Sequence, residues 1–490
     1  MNPRLLNISK TRYQWHNVTN NVSATPLLYF YPETVEDIQA IVSEAEHEKF
    51  RVRAVGSGHS FSETAKGRDF MMDIKNLRNA EEYKKNVKAN YQQNHYVLAD
   101  AGITIRRINR LLDEMGLALE NMGAVDFQTV SGALMTGTHG TGIKKPAFPD
   151  MVRALRIVAT NSELIQIEPT DGITNPALHN ASENIKLIQD DDIFYSTVLS
   201  FGGMGIVYQI VFDVVPRYMI HEHRYLEKWS VLKQELENGE FMNKVYDNDF
   251  VAFRVNPYKI KGDHLCSVVV QNVVNAPPGK HKGMRNPIAR IFANREAVIE
   301  GLIKNLDRNP KRTAYTIQTS LKSSAVKSYT DMSFKVLYQS GSAVLRYGIS
   351  SEFAFDAKEE KIIEALEFIF KQTEYYEDYA DLNHPSHIPV RFVKPSHAYL
   401  SSCYNRPTVY IDIPTLFNTL GYMSLMERYQ QAMMKIGGIP HWGKLNNALY
   451  QNHQFIKDQF PMADKWIQVR KQMDPKGTFL NDFIISMGLV

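Results

Sequence analysis

The sequence predicts an α+β protein built as two domains. Three observations predict it. At 490 residues the chain is too long for one ordinary hydrophobic core. Up to Gly205, strand-like and helix-like runs are interleaved with glycine-rich turns at Gly56–Gly58, Gly132–Gly142 and Gly202–Gly205. After Pro216 the texture changes, and strand and helix candidates mix.

The elements follow in order. Pro32-Glu33-Thr34-Val35-Glu36-Asp37 reads as a helix start. Thr34 caps it, and Asp37 sits three residues on, as a capping box requires. Val35, Ile38, Ile41, Val42 and Ala45 then form one apolar face. Arg51–Val55 reads as a strand and runs into Gly56-Ser57-Gly58-His59-Ser60. His95–Asp100 is the next strand. A helix follows, with Ile105, Ile108, Leu111, Leu112 and Met115 on one side and Gly116 as its stop. Gly202-Gly203-Met204-Gly205 leads into the strand Ile206–Phe212. Beyond Pro216, Leu265–Val274, Val344–Phe355 and Val409–Ile413 read as strands. Lys361 to Tyr379 reads as a helix with Ile362, Leu366, Ile369 and Phe370 inward.

Composition narrows the function. Hydrophobic content of 44% with 22% charged residues suits a soluble globular protein. A net charge of +3 is nearly neutral at this size and gives no footprint for nucleic acid. Cys266 and Cys403 cannot build a disulfide framework, lie outside any zinc-ligand spacing and read as buried thiols. The N-terminal segment lacks an apolar export core, and no apolar run approaches the ~20 residues that span a bilayer. A cytoplasmic protein is the expectation. Residues 280–312 depart from this balance, with nine Lys or Arg against Glu296, Glu300 and Asp307. Ile288, Ile291, Phe292, Val298, Ile299, Leu302 and Ile303 recur there at helical spacing. Two readings stand: a basic amphipathic helix on an anionic membrane surface, or a solvated face over a core stripe.

His59 carries the first chemical signal. Glycine-flanked turns let backbone N–H groups approach a phosphate closely. A histidine inside such a turn sets a nucleophilic ring nitrogen beside a phosphate-bearing ligand, which suggests a flavin dinucleotide tethered through an imidazole. On this segment alone, a phosphate turn with an incidental histidine and a plain strand-to-helix loop stay open. No turn fits the dinucleotide fingerprint, since Phe61 and Tyr208 stand where the third glycine belongs. A second signal is His441-Trp442-Gly443-Lys444-Leu445-Asn446. Its lysine stabilises an anionic flavin or serves as a base, unless it is a surface-turn lysine. Asp474-Pro475-Lys476-Gly477-Thr478-Phe479-Leu480-Asn481 reads as a structural closing turn.

These segments together resemble the sugar-lactone and sugar-alcohol oxidases of the vanillyl-alcohol-oxidase flavoprotein superfamily. That group contains the L-gulonolactone, D-arabinonolactone and alditol oxidases. Val55 to Ser62 resembles the loop whose histidine bonds the flavin 8α-methyl. Gly137-Thr138-His139-Gly140-Thr141-Gly142 and Gly205-Ile206-Val207 resemble the second and third flavin loops. His441 to Lys444 and the closing Asp-Pro-x-Gly-x-Phe-Leu-Asn resemble the C-terminal active-site segment. Pro389-Val390-Arg391-Phe392 and Leu400-Ser401-x-Cys403 resemble the substrate domain. The likeness runs from about Trp15 to Asn481.

The resemblance implies an FAD-binding domain of the PCMH type over residues 15–215. It implies an α+β cap over 216–490 whose C-terminal segment returns to the first domain. His59 would bond FAD covalently, and the backbone of Gly56, Ser57, Gly58, His59 and Ser60 would hold the pyrophosphate. Thr129, Ser131 and Gly137 to Gly142 would line the flavin. Lys444 would contact the reacting hydroxyl or the flavin, Glu352 and Arg391 would bind substrate, and His441 would orient the pocket. The reaction implied is oxidation of a CH–OH group of a sugar 1,4-lactone, with hydride passing to flavin N5 and O2 reduced to H2O2. An alditol oxidase, a dehydrogenase with another acceptor and a flavin carrier without turnover are the alternatives. Ala354 stands where polyol oxidases have an arginine, which favours a lactone. Pro389 stands where a glutamate often precedes the Val-Arg pair. No cysteine lies in residues 1–265, so a second, cysteinyl flavin bond is excluded.

Overall fold

Parallel strands open the structure because a helix must carry the chain back between them. Leu28–Phe30 is followed by the helix Val35–Glu48 and then by Val52–Val55, and both strands pair in parallel with Phe70–Asp73. The helix begins with the expected capping box between Thr34 and Asp37. It buries Ile38, Ile41, Val42 and Ala45. The computed structural model describes residues 3–277, 295–325, 328–339, 346–379, 382–450 and 452–490.

A second sheet follows, mostly antiparallel, with Ile206–Pro216 between Val152–Val158 and His95–Asp100. Gly205 enters that central strand at φ +138, and a Cβ there would lie 2.9 Å from the Val158 carbonyl oxygen. The third sheet runs Tyr329–Met332, Met219–Lys228, Leu265–Val274, Phe250–Val255, Ile388–Val393, Thr408–Leu416, Gly348–Asp356 and Ile439–Pro440. The helices Trp229–Glu237, Glu359–Tyr379 and Tyr422–Lys435 share one core with this sheet.

Strand periodicity in the third sheet positions the site. Phe353, Phe355, Ile411 and Ile413 join the core that holds those helices. The side chains between them, Glu352, Ala354, Tyr410 and Asp412, point to the other face, where Ala354 and Tyr410 join the core of the first two sheets. The last part of the chain packs into that same core through Trp466, Phe479, Phe483 and Leu489. Val52 N–H donates to the Thr478 carbonyl at 2.8 Å, so the closing turn extends the edge of the first sheet.

Most expected elements appear, with the strand expected at Arg51 starting at Val52 and the one expected at Val409 running Thr408–Leu416. Of the strand expected over Val344–Phe355, residues 344 and 345 lie outside the described residues, Arg346 and Tyr347 are helical, and the strand runs Gly348–Asp356. Of the basic stretch 280–312, residues 280–294 lie outside the described residues, including Ile288, Ile291 and Phe292. The remainder contains the helix Glu296–Arg308, which buries Ile299, Ile303 and Leu306. Among the described residues no helix is long and apolar enough to cross a membrane.

Candidate active site

The loop after Val55 forms one wall of a cleft of about 790 Å³. Gly56, Ser57, Gly58, His59 and Ser60 line it, opposite Gln128, Thr129, Ser131, Gly132, Met135 and Thr136. Gly205, Ile206 and Val207 close a third side. The loop needs its glycines for two different reasons. A Cβ on Gly56 would lie 2.0 Å from Thr129 Oγ1, and Gly58 has φ +68. The bare backbone at Gly56 keeps the wall close to Thr129, which itself caps the short helix Val130–Met135 by accepting from Gly132 N–H at 3.3 Å. Burial pushes the His59 imidazole down to about 4, so the ring is neutral near pH 7 and keeps a free lone pair.

The loop is pinned to the far end of the chain. Phe61 N–H donates to the Gly443 carbonyl at 2.9 Å, and Ser62 Oγ–H donates to the Trp442 carbonyl at 2.6 Å. His59 and Lys444 therefore belong to one neighbourhood although they are far apart in sequence.

Beside the cleft lies a charged cluster. Glu352 and Asp412 stand opposite each other in register on adjacent antiparallel strands. Lys444 Nζ lies 3.6 Å from Glu352 Oε2 and 3.4 Å from Asp412 Oδ1, and donates to Ser350 Oγ at 2.8 Å. His139 Nε2 lies 3.5 Å from Glu352 Oε1, and the His139 ring stacks on Tyr410 at 3.7 Å between centroids. Glu352 Oε1 is buried without a hydrogen-bond partner. Burial disfavours the ionised Glu352 carboxylate, but Lys444, His139 and Arg391 together outweigh it and hold the carboxyl well below its ordinary range. For Asp412 burial prevails over Lys444, with Glu352 adding to it, and the carboxyl is pushed up. His441 is pushed down to about 3, chiefly by burial; its Nδ1 accepts from Gly443 N–H at 3.0 Å and its Nε2 meets the Gly137 carbonyl at 3.3 Å. The ligand atoms of His139, Glu352 and His441 lie within 4.8 Å of one another, a spacing a metal ion can bridge. Lys444 beside Glu352 already supplies a cation there and disfavours a second.

The structure brings Lys444, Glu352, His441 and His139 together. Arg391 lines a smaller cavity that also includes Gly140 and Thr141. Gly137 to Gly142 are not among the residues that line the large cleft; Gly142 N–H is bonded to the Phe392 carbonyl at 2.7 Å, Thr138 and His139 are buried, and His139 belongs to the charged cluster. Sequence reasoning missed Asp412, Ser350 and Arg53. Asp412 and Arg53 do carry a signal, since each is a charge between apolar residues of a strand, Ile411-Asp412-Ile413 and Val52-Arg53-Ala54.

Comparison with known proteins fits this geometry. Residues 26–168, which hold the glycine loop and Thr129, match the model of an FAD binding domain. The cleft passes the physical test for that group: its walls are backbone kept bare by Gly56 and Gly58, which a Cβ would obstruct or strain. The L-gulonolactone oxidase of Scyliorhinus torazame is 26% identical over 484 residues, spanning 96% of this chain and 97% of that protein. An L-gulono-1,4-lactone dehydrogenase of Mycobacterium tuberculosis is 26% identical over 479 residues, with the same coverage. A solved cholesterol oxidase from B. sterolicum shares the fold at TM-score 0.76 and 14% identity, covering 99% of both chains. Residues 210–487, more than half of the sequence and the part that carries Glu352, Arg391, Asp412 and Lys444, match the D-arabinono-1,4-lactone oxidase model, and the chain belongs to that family.

Proposed function

We propose that the protein is an FAD-dependent oxidase of a sugar 1,4-lactone, and that it reduces O2 to H2O2. The observation that carries this reading is the Lys444–Glu352–Asp412 cluster beside a cleft suited to FAD. Gulonolactone and arabinonolactone enzymes among its relatives support the substrate class. FAD, which the walls at Gly56–Ser60, Thr129–Gly132 and Gly205–Val207 would hold, would supply the two-electron acceptor for the substrate C–H. Glu352, held ionised, accepts a hydrogen bond at its unpartnered Oε1 and so orients the reacting hydroxyl. Lys444 Nζ stabilises the charge that grows on that oxygen and takes its proton while releasing one of its own to Asp412 Oδ1, 3.4 Å away. Asp412 suits this role because burial raises its carboxyl toward the working pH. His441 and His139, both buried, shape the wall facing Glu352, and Arg391 binds the remote end of the substrate.

His59 is the proposed covalent attachment point, because its neutral imidazole would offer a ring nitrogen with a free lone pair to the flavin. The division proposed is an FAD-binding domain over 15–215 and a cap over 216–490. A peripheral membrane contact through 280–312 is the finer proposal on location, tested by co-sedimentation with anionic liposomes at low salt.

Anaerobic mixing with a panel of aldonolactones and alditols tests the function. Flavin bleaching by a lactone supports it, and bleaching by alditols alone overturns the substrate class. A dehydrogenase with another acceptor is the second reading, favoured by the name of the mycobacterial relative. Stoichiometric peroxide on readmitting air separates the two.

A further inference from the structure

The large cleft holds one charge that the protein itself does not balance. Arg53 sits in the strand Val52–Val55, just before the glycine loop, and is 6% exposed. Its Nη2 donates to the Thr64 carbonyl oxygen. Its Nε and Nη1 are buried and find no acceptor among the described residues. Among the described residues no carboxylate pairs with it, and burial alone pushes the guanidinium down to about 9. It therefore stays charged at neutral pH. A buried cation without a counter-ion is among the most costly arrangements a fold can hold.

Arg53 lines the cleft with Thr64, Ala65, Phe201 and Gly202. Gly202 has φ +73, and a Cβ there would come 3.2 Å from Arg53 Nη1. A side chain at Gly202 would press on Nη1, one of the two donors without an acceptor. Oxidised FAD offers one anionic part, its diphosphate. A guanidinium fork suits phosphate oxygens better than a neutral ring.

We infer that Arg53 is the counter-charge for the diphosphate of FAD, donating to it from Nε and Nη1. The inference rests on the FAD binding domain and adds a residue to it. The rival role is purely structural. Asn481 Nδ2 donates at 3.0 Å to the same Thr64 carbonyl, so Arg53 is also placed to clamp that loop. The two roles predict opposite signs. A clamp stabilises the empty protein. An unbalanced charge destabilises it and is repaid only when the anion binds.

The test uses the full chain carrying His59→Ala, from which flavin can be stripped. FAD, ADP and adenosine are titrated by calorimetry, and the melting temperature of the stripped protein is read. Arg53→Met is expected to weaken FAD and ADP by roughly 10- to 100-fold, the range of hydrogen bonds to charged groups, and to spare adenosine. It is also expected to raise the melting temperature of the stripped protein. Equal weakening of ADP and adenosine, or a lower melting temperature with ADP affinity kept, overturns the inference. Should Arg53→Met not fold, Arg53→Lys gives the same reading: ADP weakened with adenosine spared supports it, and equal effects overturn it. A parent that binds neither FAD nor ADP overturns the cofactor assignment and the inference together.

Discussion

Glu352 and Asp412 face each other directly across two antiparallel strands, and Lys444 lies within 4 Å of both carboxylates. Like charges opposite one another in a sheet repel. The lysine is what lets this pair exist in a buried setting. Lys444→Met should therefore destabilise the protein by about 3–5 kcal/mol, the cost of breaking a buried ion pair. Adding Asp412→Asn to that variant should recover most of the loss. Urea denaturation of the parent, the two single variants and the double variant measures the coupling; a Lys444→Met protein as stable as its parent would show that charge does not organise the cluster.

The same residues should separate in kinetics. Lys444→Ala is expected to slow anaerobic flavin reduction by roughly 10²- to 10³-fold while the protein stays yellow, as for loss of a group that stabilises developing charge. Asp412→Asn should change the pH profile. The Asp412 carboxyl is raised above its ordinary 3.8, so it ionises, and the rate climbs, as pH rises through that higher value. In Asp412→Asn that rising limb should vanish. Stopped-flow reduction across pH decides it, and an unchanged limb removes Asp412 from the proton path.

Attachment of the flavin is open to a direct assay. Acid precipitation of the parent should leave flavin fluorescence in the pellet, and His59→Ala should release it to the supernatant. Flavin that stays in the His59→Ala pellet would place the bond on another residue.

The approach of Gly56 to Thr129 leaves no room for a side chain. Gly56→Ala puts a carbon 2.0 Å from Thr129 Oγ1 and should deplete bound FAD. Thr129→Ala in the same chain removes the clashing oxygen, at the cost of the helix cap, and should restore part of the FAD content. The absorbance ratio of flavin to protein reports both.

A pH dependence of stability follows from a buried imidazole away from the site. His384 is 1% exposed, neither ring nitrogen has a hydrogen-bond partner among the described residues, and burial pushes it from 6.5 down to about 3. The unfolded chain takes up its proton below 6.5 while the folded chain does not, so this stability is full above 6.5 and is lost as pH falls toward 3. The slope is about 1.4 kcal/mol per pH unit for one such group. His384→Gln should flatten the acid limb of the stability curve by that amount, and an unaltered limb would show that the ring is protonated when folded.

How much of this could be read from the sequence depends on how local the signal is. The capping box at Thr34 and Asp37, the strand before Gly56 and the run Ile206–Phe212 are short-range patterns, and they appear where expected. His59, Lys444 and Glu352 could be named from motifs, but their proximity could not, because it depends on Phe61 and Ser62 meeting Gly443 and Trp442. Asp412 was hidden for a similar reason: only strand register shows that it faces Glu352. The segment Gly137–Gly142 resembles a flavin loop, and its glycines give no hint that His139 within it meets Glu352 on a distant strand.

The bond from Ser62 to Trp442 joins residues 380 positions apart. At ordinary rates of translation the His59 loop emerges roughly 20 to 80 seconds before its partners exist. During that interval the nascent N-terminal part has neither the Gly443 carbonyl that holds Phe61 nor the edge supplied by Thr478. All residues that line the cleft, from Arg53 to Val207, are already present while its glycine loop still lacks these anchors. A premature stop anywhere before Trp442 removes the partner of Ser62 and leaves the cleft residues in place with the His59 loop unanchored.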